Sequence, residues 1–550
     1  MAQYKTPGVY IVEKNAFPNS VVEVATAVPA FIGYTESADN KGASLAKKPW
    51  RISSMAEFEA YYGGPPKASF TIGGGAAAPA APAAAVAPAA AADPAAAAAA
   101  AAAPAPAKPA AAAVDGDFSV TDSSKVRTEY TLTLAGTPFI LYYSMLLFFQ
   151  NGGGACYVVS VGSYTDGLDP DKISAGIDSL LKEQEPTMVV IPEAVFLSKA
   201  DCASVQQAAL MHCGFKMRNR FAILDVFDGY KDRQDNTGDC VANFRDSLGT
   251  NFLDFGAAYY PWVNTTIVKE KDLDFTCIAN ADKLQALLTQ DLAPVLQIDQ
   301  PSPGTATKIA QLKAALAGLA TDWSKEPDAD QKITQLNQTL VAVSPLYSQI
   351  LLAVQKKLNL LPPSAGMAGI YTMIDNTRGV WKAPANVSLN GVVSPAVNIT
   401  HDDQEDLNVT TQGKSINAIR SFIGEGVLVW GARTLDGNSL DWRYINVRRT
   451  MIMIEESVKQ ASKAYVFEPN VANTWVTVKS MIRNFLTSVW KRGGLAGASP
   501  DDAFSVFVGL GETMTADDIL EGLLKVSVLV AVSRPAEFIE ITFEQQMQKS

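Results

Sequence analysis

The two histidines of this sequence limit the nucleophilic and general-base chemistry that it could perform. A Ser/His/Asp or Cys/His site would have to use His212 or His401. His212 precedes Cys213 at the end of a predicted helix, and we interpret it as a core or surface side chain. No glycine-rich stretch is followed by Lys-Ser or Lys-Thr, and the five cysteines form no Cys-x-x-Cys pair. The sequence therefore carries neither a phosphate-binding loop nor a zinc-binding pattern.

The acidic run 401–406, His-Asp-Asp-Gln-Glu-Asp, is a cluster that could hold a divalent cation. Carboxylate oxygens suit Ca²⁺ or Mg²⁺, but the run lacks the alternating spacing and the turn glycine of an EF-hand loop. We favour a solvated loop and keep the cation site as the alternative. Carboxylates are plentiful elsewhere, and no pair is marked as catalytic. We therefore expect a structural or interaction protein with no enzymatic activity, no cofactor and no metal.

Composition and charge exclude several classes of protein. The 550 residues carry a net charge of −11, which argues against a nucleic-acid binder. The longest apolar run, 138–149, is too short to span a bilayer, and residues 1–10 do not resemble a secretory signal. We expect folding in the cytosol, where the cysteines would stay reduced and mostly buried. At roughly 150 residues per domain, the length predicts about two to four domains.

Apolar runs alternate with amphipathic helices between 118 and 264, and this alternation predicts an α/β sheet. The predicted strands are 8–13, 30–34, 157–161, 188–191, 221–226 and 257–263, and the predicted helices are 138–150, 169–182 and 199–211. Residues 284–361 are predicted to be mostly helical, with a break near 326–330. We therefore expect a multidomain α/β protein of mixed α+β character.

A low-complexity insert separates the first strands from this alternating region. Alanine accounts for 28 of the 38 residues 76–113, and recurring prolines break any long helix there. We interpret the wider segment 73–117 as a disordered, outward-pointing linker or surface loop, with Gly73, Gly74 and Gly75 as its hinge.

The last 130 residues have the most regular pattern. A helix is predicted over 446–464, with Val447, Met451, Ile454, Val458 and Ala461 on one face. A second helix begins at Asn473 and ends at Lys491-Arg492-Gly493, with an apolar face of Trp475, Val478, Ile482, Phe485 and Val489. Strands are predicted over 526–532 and 538–544. In the second of these, Ile539, Ile541 and Phe543 share one face.

Short motifs spread along the chain resemble one protein family. The opening Tyr4–Ile11 (YKTPGVYI) and the following Thr26–Gly33 (TAVPAFIG) resemble the start of phage-type contractile tail sheath proteins. Similar motifs follow in the family's order at 151–153, 156–159, 362–364, 368–371, 375–386, 426–435, 446–449, 455–457 and 534–538. Each motif is weak alone, but together they are specific. The insert 76–113 and the helical stretch 284–361 depart from the compact family pattern.

The resemblance implies the subunit of a contractile injection machine: a phage tail, a tailocin, a type VI secretion system or an extracellular injection particle. Such subunits form stacked hexameric rings around an inner tube, and contraction drives the tube into a target membrane. Both chain ends would build the core domain, which implies core segments 1–35 and 366–550 and inserted outer domains over 36–365. The alternatives are another assembly protein, of a baseplate or surface layer, and more remotely an α/β enzyme.

The resemblance also implies partners and contact residues. The partners would be further copies of this chain, the inner tube, baseplate and terminal cap proteins, and sibling sheath proteins, with no nucleic acid and no membrane insertion. Assembly would take place in the bacterial cytoplasm, with release of the particle on lysis. Terminal arms would add strands to neighbouring subunits through Val9, Tyr10, Ile11, Val12, Ile539, Ile541 and Phe543; the alternative is that these strands pair within their own chain.

Tube contact would come from an exposed helix of the core domain. One candidate is the polar face of the first C-terminal helix, with Arg449, Glu456 and Lys463. The other is the polar face of the second helix, with Lys479, Arg483, Lys491 and Arg492. In both cases the alternative is an ordinary solvated helix face.

Overall fold

The computed structural model of the protein describes residues 21–77, 116–121, 127–298 and 302–541. The described residues fall into two compact units. Unit 1 takes its residues from Met1–Pro66, Pro138–Ile267 and Asn359–Ser550, and unit 2 from Lys67–Thr137 and Val268–Leu358. The predicted strand 8–13 and most of the alanine-rich insert lie outside the described residues.

The strands and helices are numbered along the chain. The strands are β1 (Pro29–Thr35), β2 (Asp39–Asn40), β3 (Ala43–Ser44), β4 (Trp50–Ile52), β5 (Phe70–Ala77), β6 (Phe118–Thr121), β7 (Arg127–Leu134), β8 (Cys156–Ser163), β9 (Met188–Val190), β10 (Phe221–Asp225), β11 (Gly256–Tyr260), β12 (Val263–Thr265), β13 (Leu360–Leu361), β14 (Val387–Ser388), β15 (Val392–Pro395), β16 (Asn417–Phe422), β17 (Gly426–Trp430), β18 (Phe504–Phe507) and β19 (Ser527–Val530). The helices are α1 (Met55–Tyr62), α2 (Leu141–Gln150), α3 (Pro170–Ser179), α4 (Lys199–Met211), α5 (Cys240–Ser247), α6 (Ala281–Asp291), α7 (Ala293–Leu296), α8 (Pro303–Gly318), α9 (Ala329–Val343), α10 (Pro345–Leu358), α11 (Ser364–Arg378), α12 (His401–Asn408), α13 (Ile445–Ser462), α14 (Ala472–Lys491), α15 (Pro500–Ala503) and α16 (Ala516–Leu520).

A nine-stranded sheet forms the centre of unit 1, in the order β14-β17-β16-β11-β10-β9-β1-β8-β4. Its six strands from β16 to β8 run parallel, whereas β14, β17 and β4 are antiparallel to their neighbours. All seven residues of β1 are buried, because a parallel sheet is covered on both faces. The predicted α/β class is confirmed.

Helices cover both faces of this sheet. Along β1, Ile32 points into a cluster with α3, α4 and α5, whereas Phe31 points into the opposite cluster with α1, α2 and α11. The predicted strand 257–263 is split into β11 and β12, since Pro261 between them has no N–H to donate to a ladder. Strand β12 leaves the large sheet and pairs with β13 and β15 instead.

Unit 2 contains the antiparallel sheet β5-β7-β6 and the helices α6 to α10. The mostly helical character predicted for 284–361 is confirmed, with a break before α9 at Asp328, whose φ is 57°. The predicted hinge is wrong for Gly73 and Gly74. Both pair with β7 inside β5, and a bulge after Gly74 accommodates its positive φ of 78°.

The two units divide the chain differently from the expected boundaries at residues 35 and 365. Pro138–Ile267 contributes β8 to β11 to the same sheet as β1, β16 and β17, so strands from the expected core segments and from the expected insertion share this sheet. The assignment of core and outer positions in a particle stays a prediction. Within the described ranges, every helix is too short or too polar to cross a membrane.

Candidate assembly interface

The C-terminal part of unit 1 has its own apolar core, which we call the C-terminal cluster. Buried residues of α13, α14 and β18 form it, with β19 packed against it: Met453, Ile454, Val478, Met481, Ile482, Phe485, Leu486, Val489, Phe504 and Val506. The inner face predicted for α14 is confirmed at Val478, Ile482, Phe485 and Val489, and Trp475 is partly buried. This cluster positions helix α14, which carries the candidate residues Lys479, Arg483 and Lys491.

The expected exposure of the α13 polar face is wrong for Arg449 and Glu456, which are only 5% and 9% exposed. Helix α13 is buried on most of its circumference along its first three turns, because it packs between the large sheet and the C-terminal cluster. A hydrophobic periodicity of 3.6 residues in the sequence identifies one apolar face of a helix. It does not show that the opposite face also packs against a partner. Lys463, just past the helix, is exposed.

Arg449 forms a buried ion pair instead of a surface contact. Its Nη1 and Nη2 atoms donate to the carboxylate of Asp375 on α11 at 2.9 and 2.6 Å. The Asp375 side chain is 2% exposed, and the guanidinium lies 4.8 Å from the ring centroid of Tyr371. Nη2 also donates to the carbonyl oxygen of Thr26 at 3.0 Å. The Arg449 guanidinium thus connects α11, α13 and the segment before β1.

The segment 21–28 runs from β1 to the C-terminal cluster. Val21 and Val24 pack against the cluster, and the Val24 N–H donates to the Ser457 hydroxyl at 3.1 Å. Glu23 forms an ion pair of 2.5 Å with Arg492 at the end of α14. The arm residues Val9, Tyr10, Ile11 and Val12 lie outside the described residues, so their predicted role is untested. The described chain nevertheless begins against this cluster.

The basic face predicted on α14 is accessible. Arg483, Lys491 and Arg492 are exposed and Lys479 is partly exposed. Lys479 pairs with Glu512 at 3.5 Å and Arg483 with Asp501 at 3.2 Å. Such surface pairs contribute about 0–1 kcal/mol each, so they exchange readily for contacts with a partner.

A two-stranded sheet, β18-β19, borders the C-terminal cluster and has no third strand among the described residues. About half of the exposed large hydrophobic side chains that the structure describes lie in the same region, between Val466 and Ile541. Phe538, Ile539 and Ile541 are 75%, 80% and 68% exposed. The predicted strand 538–544 is not formed in its described part, and Phe543 lies outside the described residues. Strand addition requires a sheet with an unpaired edge and an unpaired apolar segment, and the described residues contain both.

Glu537 fixes the chain immediately before these exposed residues. Its carboxylate accepts two hydrogen bonds from Arg433, at 2.9 and 2.7 Å, one from Asn408 Nδ2 at 2.8 Å and one from Tyr444 Oη at 3.0 Å. Arg433 is 4% exposed, and its Nη1 donates to the Asn408 carbonyl oxygen at 3.1 Å. Burial alone would raise the pKa of Glu537, but these hydrogen bonds outweigh it and hold the pKa below its usual range.

Sequence reasoning missed this group, although Arg433 and Glu537 both lie in motifs that carry the family resemblance. The available signal was a lone arginine, Arg433, three residues after the end of the apolar strand β17. Such a position predicts a buried charge that needs a partner. The partner is 104 residues away in the sequence, and spacing alone does not identify it.

The two candidate groups for chemistry, His212 and the acidic run 401–406, have structural roles. His212 is fully buried, and its Nε2 lies 2.7 Å from Arg220 Nη1. Burial and the Arg220 charge lower the pKa of His212 to about 4, so the ring is neutral and accepts this hydrogen bond. The acidic run is not the expected loop: it forms α12, which starts with a reciprocal Thr400–Asp403 cap. Its Asp406 pairs with Arg245 at 2.8 Å and Arg233 at 2.9 Å.

Two carboxylates are buried within unit 1. Glu193 accepts backbone N–H bonds from Tyr34 at 2.8 Å, Ile140 at 3.0 Å and Leu141 at 3.1 Å, which ties β1 to the start of α2. Asp225 accepts from the Ser364 N–H at 2.8 Å. Burial raises the pKa of each to about 7. No group of three or more potential metal ligands occurs in the described part of the chain, and all five cysteines are buried and unpaired, as predicted.

Comparison with known proteins supports the resemblance seen in the motifs. Residues 438–546 match the family model of the phage tail sheath C-terminal domain. The tail sheath protein of Vibrio phage KVP40 is 27% identical over 138 residues, 24% of this chain and 20% of that protein. The tail sheath protein of Burkholderia phage BcepMu is 31% identical over 113 residues, 20% of this chain and 24% of that protein. The chain thus spans about a fifth to a quarter of the curated relatives it matches.

A solved structure is similar over nearly the whole chain. The helical sheath of the anti-feeding prophage in its contracted state has a TM-score of 0.55 and 25% identity, over 99% of this chain and 100% of the other. The resemblance to contractile tail sheath proteins is therefore confirmed.

Proposed function

We propose that this chain is a structural subunit of a contractile sheath. It polymerises as stacked hexameric rings around an inner tube, and contraction drives the tube into a target membrane. The observation that carries this proposal is the similarity to a contracted sheath subunit across 99% of the chain. The particle is a phage tail or a tail-like machine, assembled in the bacterial cytoplasm and released on lysis.

Strand addition links the subunits. Residues 9–12 and 539–543 of one subunit pair with the two-stranded sheet β18-β19 of its neighbours. A backbone hydrogen bond contributes roughly 0.5–1.5 kcal/mol net, so an arm that forms several bonds contributes a few kcal/mol. Burial of Ile539 and Ile541, which are 80% and 68% exposed in the single chain, adds an apolar contribution. Because each subunit both donates and accepts arms, the lattice gains avidity.

Contraction is a rigid-body rearrangement of subunits that stay connected through their arms. The extended lattice is held kinetically, and new contacts between subunits in the contracted lattice release free energy. The sequence has no phosphate-binding loop, in keeping with a machine that uses no nucleotide during contraction. Baseplate and terminal cap proteins lie at the two ends of the lattice, and sibling sheath proteins can occupy positions within it.

Tube contact is assigned to the basic face of α14. The buried ion pair of Arg449 and the burial of Glu456 argue against the α13 face. The α14 residues Arg483, Lys491 and Arg492 are exposed, and their positive charge suits an acidic strip on the tube.

Electron microscopy of the full chain, expressed with its tube protein, tests this function. Hollow striated cylinders are expected for the natural sequence. Replacing Ile539 and Ile541 with Asp removes the apolar face of the arm and should abolish the cylinders while leaving the circular dichroism spectrum unchanged. Glu540→Lys is the matched control, because it changes charge on the opposite face of the same segment. A monodisperse monomer in every preparation of the natural sequence would refute the sheath assignment.

A further inference from the structure

Several hydrogen bonds of Arg433 and Glu537 fix the chain directly before the exposed segment 538–541. Glu537 accepts hydrogen bonds from three residues, Arg433, Asn408 and Tyr444, and the next residue, Phe538, is 75% exposed. Bidentate arginine–carboxylate pairs fix orientation as well as distance. The bonding therefore defines a sharp boundary between fixed chain and free chain at this position.

The anchor is connected to the large sheet. The Arg433 backbone N–H donates to Asn417 Oδ1 at 2.8 Å, and Asn417 Nδ2 donates to the carbonyl oxygens of Arg433 at 2.8 Å and of Ala258 at 3.2 Å. Asn417 belongs to β16 and Ala258 to β11. A pull on residue 538 is thus transmitted through Glu537 and Arg433 to the parallel strands of unit 1.

Without this anchor, the next fixed residue toward the N-terminus is Ser533. Its carbonyl oxygen accepts from Asn446 Nδ2 at 3.0 Å, and its hydroxyl donates to the Gly493 carbonyl oxygen at 3.0 Å. Arg534 lies 3.8 Å from Asp441 in an exposed pair that contributes little. Four residues of extended chain span at most about 14 Å, and losing the anchor would add that reach to the segment.

We propose that Arg433 and Glu537, with Asn408 and Tyr444, form an anchor that fixes the point where the C-terminal arm leaves the subunit and that resists a pull on this arm. This inference rests on the proposed sheath function, because the load is the pull of a neighbouring subunit on the arm. The anchor sets arm length, and arm length sets the spacing between linked subunits. Arg433 and Glu537 are therefore positioning residues for assembly.

A spin label tests the anchor without any assembly. Phe538→Cys introduces an accessible thiol directly after Glu537, since Phe538 is 75% exposed, whereas the five natural thiols are buried and resist labelling. In the single chain, a nitroxide at 538 should show restricted motion that becomes freer in Glu537→Ala. Since that variant leaves the Arg433 charge buried, the double variant Arg433→Met/Glu537→Ala repeats the test with no unpaired charge. Glu540→Ala, an exposed glutamate of the same segment, should leave the spectrum unchanged.

Assembly then shows whether the anchor bears load. Variants without the anchor should lose regular cylinders or form them with altered ring spacing, whereas Glu540→Ala cylinders should match the natural ones. Unchanged label motion in both anchor variants, or normal cylinders from a mobilised arm, would overturn the anchor. If the natural chain forms no cylinders, the sheath function fails, and the label still decides whether Glu537 fixes residue 538.

Discussion

Removing the Asp375 carboxylate should destabilise unit 1 far more than removing a surface carboxylate. The Arg449–Asp375 pair is bidentate, and its side chains are 5% and 2% exposed. Asp375→Ala leaves the guanidinium in the core with the Tyr371 ring and the Thr26 carbonyl oxygen as its remaining partners. A buried charge without its counter-ion is costly, because water cannot reach it.

The magnitude follows from the burial of both partners. Breaking a buried pair from one side costs about 3–5 kcal/mol, and the contacts of Arg449 with the Tyr371 ring and the Thr26 carbonyl oxygen, which remain in the variant, favour the lower end of this range. We expect Asp375→Ala to lower the free energy of unfolding by about 3 kcal/mol. The double variant Asp375→Ala/Arg449→Met removes both charges and should lose less, about 1–2 kcal/mol, although the bond to Thr26 is also gone.

Denaturant unfolding followed by tryptophan fluorescence measures this effect, since seven of the eight tryptophans lie in unit 1 and Trp323 alone lies in unit 2. The control is Asp501→Ala, which breaks the exposed 3.2 Å pair with Arg483 and should cost no more than about 1 kcal/mol. A double variant as unstable as the single one would refute the argument, because the penalty would then not arise from the unpaired charge.

Acidification through the depressed pKa of Glu537 should mobilise residue 538, because the stability that the ionised carboxylate contributes is lost as pH falls through that pKa. The spectrum of the label at 538 measures this, and no change down to unfolding would contradict it. The free energy of unfolding should fall from pH 5 to pH 8, because burial raises the pKa of Glu193 and Asp225 to about 7. In this range the folded state still binds protons that the unfolded state has released. Glu193→Gln should flatten that slope in denaturant unfolding, and an unchanged slope would show that Glu193 does not titrate there. Ile482→Ala, at a fully buried position of α14, should cost about 2–5 kcal/mol, whereas Val476→Ala, 62% exposed on the same helix, should stay within about 0.5 kcal/mol.

The sequence predicts the local elements of unit 1 well. Helix α4 has the predicted bounds, and β8, β9 and β10 lie where apolar runs alternate with helical patterns. The reciprocal caps at Ser499 and Thr515 join side chains only three residues apart. Signals of this kind act within a few residues, and the sequence displays them directly.

Features that depend on distant partners were missed. The exposure of Arg449 was misjudged because α11, with Asp375, covers that face of α13. The acidic run was interpreted as a loop, although Arg233 and Arg245 neutralise Asp406 within a capped helix. The Glu537 anchor joins residues 104 positions apart. In each case a tertiary contact decides the role of a charged residue, and this contact cannot be inferred from the local periodicity of the sequence.

The placement of β16 beside β11 has a consequence for biosynthesis. Tyr260 pairs with Ala418. The edge of β11 therefore stays unpaired until β16 has been synthesised, while roughly 150 residues, including most of unit 2, leave the ribosome. At about 5–20 residues per second, this wait lasts about 10–30 s, a period in which the nascent edge is open to wrong partners. The proposed arm after Glu537 emerges only when the sheet can already close. The order of synthesis therefore lets this sheet close before the proposed arm is complete.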